Sequence, residues 1–239
     1  IRNIFRRGVV FMNVEKMIKR DISVEIANYL TNNLPCYEKK NIDDEKTYET
    51  NFLHLMNVIG KNVINIPRKV HYSCELIKKM NEEFPKELCD LIKLFEKKFD
   101  KGESVKGYLS KKAFDVEFKD ILLNQWGIKH LHLTDKEANS IEEMKNNRSN
   151  ILLFFIVDNQ DVYFLDVRKH PKGAGFITLE VLSIVYNNRW MEKIGAQKVE
   201  GIIDLQPKID SNEELYKLYK LSTKLNEPLF GQICKIVIS

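Results

Sequence analysis

Five histidines stand in the 239-residue sequence, and two of them, His130 and His132, lie two apart in the run Ile-Lys-His-Leu-His-Leu at 128–133. The run alternates, and successive strand residues point to opposite faces. His130 and His132 therefore share one face, while Leu131 and Leu133 take the other, the natural core face. Residues 162–170 repeat the arithmetic. Tyr163, Leu165 and Val167 fall on one side, and Asp166, Arg168 and His170 on the other. If both runs join one sheet, their polar rows meet on one surface. Lys169 then sits at the strand end, and Arg148 just ahead of the apolar run 151–157.

This mixture suits phosphodiester chemistry. Cleaving RNA without metal needs a base for the 2′-OH proton and an acid for the leaving 5′-oxygen. The unperturbed pKa of histidine, about 6.5, serves both roles. It also needs cations against the charge that grows on phosphate, which arginine supplies through a rigid fork of donors. The candidate acid–base residues are thus His130, His132 and His170. The candidate phosphate and RNA contacts are Arg148, Arg168, Lys169 and Tyr163, with Trp190 as a further ring on which a base can stack. Against these stand ordinary roles: solvated strand charges, Tyr163 in the core, Trp190 packing at a helix end. A zinc site built from the paired histidines and Asp166 is the metal alternative. Arg168 and Lys169 oppose it, and no cysteine or acidic cluster lies at ligand spacing, so neither metal nor cofactor is expected. No glycine-rich phosphate loop, HExxH or GxSxG occurs.

The net charge of +4, from 38 basic and 34 acidic residues, permits a nucleic-acid partner without demanding one. Cys36, Cys74, Cys89 and Cys234 include no CxxC pair, which predicts reduced, mostly buried thiols. The basic stretch 1–11 lacks the apolar core of a secretory leader. The longest apolar run, 151–157, is far below the roughly 20 residues of a membrane span. A cytoplasmic protein with no membrane association is the expectation.

These residues must be positioned by an α+β fold. The reading is a mostly helical region over 1–107, then an α+β domain over 108–239. Its central antiparallel sheet has strands near 128–133, 151–157 and 162–170, flanked by helices. Val14, Met17, Ile18, Ile22 and Ile26 predict an amphipathic helix ending before Pro35. Tyr48 to Ile59 predict another, stopped by Gly60. Further helices are predicted from Ser73 to Phe84, after Pro85, over 110–125 and over 177–190. The segment 63–70 is left unassigned. Strands over 199–205 and 233–238 and a helix over 212–226 complete the reading.

The stretch 128–170 resembles the sheet of RelE/ParE-type toxins of bacterial toxin–antitoxin systems. An arginine (Arg148) precedes the strand ILLFFIVDNQ, a tight turn follows, and the next strand, DVYFLDVRKH, ends in basic residues. The resemblance covers roughly forty residues. It implies a sheet lined with basic and aromatic residues, cleavage of mRNA without metal, and Arg148 and Arg168 as phosphate contacts. His130 and His132 rest on the strand argument alone. Metal-independent RNA cleavage, toxin-like or defence-related, is the leading expectation, with RNA or the ribosome as partner and a protein antitoxin or a second copy as possible companions. A non-catalytic nucleic-acid- or protein-binding module is the alternative. A metal-dependent hydrolase is the third.

Overall fold

The computed structural model describes residues 2–34, 45–146, 149–170, 178–196 and 211–217. They fall into two compact units. One takes residues up to 62 together with 111–119, and the other takes 63–110 and everything after 119.

The first unit is a helical hairpin of α1 (Arg2–Asn33) and α2 (Glu45–Lys61). Ile26, Ala27, Leu30, Leu34 and Val58 are buried. Asn51 donates to Ser23 Oγ at 3.0 Å inside the pair. Gly60 does not stop α2, which runs on to Lys61. The buried Lys61 ammonium donates to the carbonyls of Lys112, Asp115 and Phe118, fastening 111–119 to α2. The continuous helix expected over 110–125 is therefore absent. A 3₁₀ turn, Lys111–Phe114, gives way where Asp115 Oδ1 captures the N–H groups of Glu117 and Phe118. Helix resumes as α5 (Ile121–Trp126), capped by Asp120 through the Leu123 N–H. Aspartates that bond their own neighbouring backbone favour such breaks.

The second unit is built on a four-stranded sheet. Its strands are β1 (Lys69–Tyr72), β2 (Ile128–His132), β3 (Ile151–Asp158) and β4 (Asp161–Lys169), in the order β1-β4-β3-β2. The three strands read from the sequence form an antiparallel meander. The unassigned segment supplies β1, which pairs parallel with β4 and makes the sheet mixed. Its partner lies about ninety residues away, so no local pattern announced it. With β1 come α3 (Cys74–Glu82) and α4 (Lys86–Lys101). The compact units thus do not divide at 107/108: β1, α3 and α4 belong with the sheet, and 111–119 with the hairpin.

Both faces of the sheet are covered. On one, α4 lays down Ile92, Phe95 and Phe99, and the Phe99 ring meets Phe155 and Phe164 at 5.5 and 5.7 Å. Burying each of these side chains stabilises the fold by about 1.5–3 kcal/mol. Gly102 ends α4 in the left-handed conformation, and its hydrogen packs against the backbone of Ile66 and Pro67, where no Cβ fits. On the other face Leu152, Phe154, Ile156 and Tyr163 pack with Leu122 and Trp126 of α5 and with Val181, Leu182 and Val185 of α7 (Leu179–Asn187). Residues 212–217 are helical and add Leu215 to this core. The helix predicted over 212–226 begins as expected and passes out of the described residues, as do 199–205 and 233–238 entirely.

A short helix, α6 (Ile141–Asn146), fills the polar stretch after β2. Cys74 is exposed and Cys89 half-buried, both free, so burial fails for Cys74. Cys36 and Cys234 lie outside the described residues. Among the described residues no helix is long and apolar enough to cross a membrane.

Candidate functional site

The face that carries the histidines is not an open surface but the one packed beneath α5 and α7. Strand β3 stands between β2 and β4, so the two polar rows are not neighbours. His130 is level with Phe154 and Asp166, and His132 with Leu152 and Arg168. Parity nonetheless puts all of them, with His170, on one side. A bulge contributes: Phe154 pairs with Asp166 and Phe155 with Phe164, leaving Leu165 as the extra residue. The bulge also turns Tyr163 to the same side as Asp166, against the simple alternation.

At the end of β4 the rings of His132 and His170 stack, 6.0 Å between centroids and 14° between planes. The His170 N–H donates to the Asn150 carbonyl at 2.6 Å, which holds the strand end in place. His132 Nδ1 lies 2.7 Å from the Ser149 carbonyl. A carbonyl only accepts, so Nδ1 carries the proton, and in the neutral ring Nε2 carries the lone pair. His132 itself is buried. His130 packs its ring against Phe154 at 6.0 Å. Burial first, then the nearby His170, push its pKa below the usual value against the pull of Asp120, so it is neutral at pH 7.

Arg168 is committed elsewhere. Its Nε donates to Asp166 Oδ2 at 2.6 Å, its Nη1 to Thr178 Oγ1 at 3.1 Å, and Glu180 lies 3.7 Å away. Asp166 is 0% exposed. Lys79 of α3 grips both its oxygens at 2.8 and 3.0 Å, and the Val167 N–H adds a third donor. A buried carboxylate survives only when paired and fully hydrogen-bonded, and this one is. The same network ties α3 to α7 through Glu75, which accepts from Asn187 and Asn188. Burial would raise the Glu75 pKa, but those bonds and Lys79 hold it below its usual range. The phosphate role expected of Arg168 is thus replaced in large part by an internal one.

Lys169 is exposed at the strand end, on the side opposite His170. Tyr163 is buried, with His71 stacked on it at 4.8 Å and Trp190 against it at 4.9 Å, so it is no platform for a base. Arg148 lies outside the described residues.

The sequence reading missed Lys79, Glu75 and the pair His71–Asp161, joined at 2.6 Å. Asp166 inside an apolar strand was a signal that a cation must meet it. Nothing local said which one, because Lys79 comes from 87 residues earlier. Among the described residues no three His, Cys, Asp or Glu side chains converge to hold a metal ion. The arrangement brings two imidazoles, those of His132 and His170, face to face. No family profile, curated protein or solved structure matches the chain.

Proposed function

We propose that the chain cleaves RNA without metal, with His132 and His170 sharing proton transfer. The stacked imidazole pair carries this reading. His170, the more accessible ring, takes the 2′-OH proton. His132, its Nδ1–H fixed on Ser149, acts from its protonated form: Nε2–H donates to the leaving 5′-oxygen as the P–O5′ bond breaks, a step that requires RNA to reach a ring that is buried in the free protein. Arg168, held on Asp166, is the cation that shares this face of the sheet. The likeness of 128–170 to the RelE/ParE-type sheet makes ribosome-bound mRNA a substrate to try beside free RNA.

The test is cleavage of single-stranded RNA, free and ribosome-bound, in EDTA. Turnover in EDTA is expected, falling at least a hundredfold in His170→Ala and in His132→Ala. Unchanged turnover in folded His170→Ala sinks the assignment.

One observation favours a second reading, a non-catalytic interaction module. Met17, Ile18, Leu53 and Met56 lie exposed on the helical hairpin, an apolar surface that a partner can cover. That reading predicts binding without turnover.

A further inference from the structure

Another titratable pair lies at the opposite end of the same sheet face, where β4 begins. His71 Nε2 meets Asp161 Oδ1 at 2.6 Å, and both side chains reach solvent, 32% and 37% exposed. A carboxylate accepts, so Nε2 carries the proton, and in the neutral ring the lone pair stands on Nδ1. That atom is neither hydrogen-bonded to a described residue nor buried. The ring is held from a second direction as well. His71 pairs with Tyr163 across β1 and β4, and the two rings stack at 4.8 Å and 14°. Tyr163 is itself set against Trp190 at 4.9 Å. A half-exposed histidine ordinarily samples several rotamers, whereas this one is fixed in its plane by a carboxylate and on its face by a ring. Two ammonium groups stand at the same margin. Lys69, level with Asp161 and two residues before His71, shares their face. Lys193 lies 5.7 Å from the centre of the Tyr163 ring, anchored on Asp158 Oδ2 at 2.8 Å. All of these residues belong to the second compact unit.

We propose that His71 is a phosphoryl acceptor, taking the group onto Nδ1 from a phosphoramidate donor. His71 hydrogen-bonds no hydroxyl or thiol, so it activates no protein nucleophile and acts as one itself. The Nδ1 lone pair forms the new N–P bond as the donor's P–N bond breaks. The leaving amine, protonated in the donor, departs neutral with that bond's electron pair. The ring gains the positive charge and shares it, through Nε2–H, with the Asp161 carboxylate. Asp161 is thus a positioning residue: it holds the reactive tautomer and steadies the imidazolium as it forms, as an aspartate does behind the histidine of a hydrolase triad. Phosphoryl transfer asks little of a protein beyond an aligned nucleophile and cations for the phosphate oxygens, and Lys69 and Lys193 are the cations at this margin. The site stands independently of the His132–His170 pair, which lies at the other end of β4.

The experiment incubates the full chain with potassium phosphoramidate at mildly alkaline pH, which preserves the acid-labile N–P bond, and maps the label with time by peptide mass spectrometry. His71 takes the phosphoryl group about tenfold faster than any other histidine of the chain. His71→Gln removes that fast phase. Asp161→Asn slows it about tenfold with circular dichroism unchanged, and Asp161→Glu recovers most of the rate. No label on His71, or label there no faster than on another histidine, overturns the proposal, and the wild-type map decides this without any variant. Asp161→Asn labelled as fast as wild type overturns the part given to Asp161.

Discussion

Helices α1 and α4 are both amphipathic, and only one of them is finished. In α4 the apolar stripe Ile92, Phe95 and Phe99 lies fully buried on the sheet. In α1 the row from Val14 through Ile22 stays half exposed although its spacing is as regular. The sheet unit also seals its polar groups: Asp166, with no exposed surface, is answered by Lys79, Arg168 and a backbone N–H. The helical hairpin relies on a few ties, chiefly Lys61 to three carbonyls and Asn51 to Ser23. An apolar period therefore specifies a helix and a face, and leaves open what covers that face.

The contrast is broken most forcefully at Asp166. Asp166→Ala strands two cations in the sheet unit and costs about 3–5 kcal/mol in urea unfolding. A loss under 1 kcal/mol means the network is looser than its geometry. Phe99→Ala removes a ring that touches Phe155 and Phe164 and costs a comparable 3–5 kcal/mol.

Titration sharpens the comparison next. Burial holds the pKa of His130 down, so between that lowered value and about 6.5 the unfolded chain binds the extra proton. Stability accordingly falls as pH drops through 6.5, by at most about 1.4 kcal/mol per pH unit. Lys129 is likewise pushed down to about 8 from 10.5, by burial foremost, with Arg68 adding to it and Asp120 opposing. Stability then rises with pH between about 8 and 10.5. Unfolding midpoints across pH 5 to 10 should show both slopes, with Lys129→Met flattening only the alkaline one. A profile unchanged by that substitution refutes the assignment.

Smaller effects complete the series. Ser73 caps α3 through the Leu76 N–H and also donates to the Leu165 carbonyl at 2.6 Å, so Ser73→Ala costs about 1–2 kcal/mol by thermal melting. At the other extreme, Met17→Ser on the exposed side of α1 shifts stability by less than about 0.5 kcal/mol. A larger loss shows that α1 is covered after all, and the two units are then alike.

Much of the sheet was legible because its strands alternate or run apolar over several residues. β2, β3 and β4 fall within a residue or two of their expected bounds. So were Ser73 before α3 and Pro85 before α4, since caps and prolines act within one turn. The shared face of His130, His132, Asp166, Arg168 and His170 was legible from parity. Its coverage was not, nor was the turn of Tyr163 to the same side by the bulge at Leu165.

By itself the sequence determined the α+β class, most helices and three strands, because dihedral preference and apolar period are local. Only the tertiary structure decided that β1 joins beside β4, that Lys79 meets Asp166, that Arg168 turns inward and that His132 stacks on His170. Three of these depend on partners tens of residues apart along the chain, and Arg168 turns to Asp166, two residues away, because that carboxylate is itself buried against the distant Lys79. Their choice is made when the whole core closes, by the cost of leaving any buried charge or strand edge without a partner.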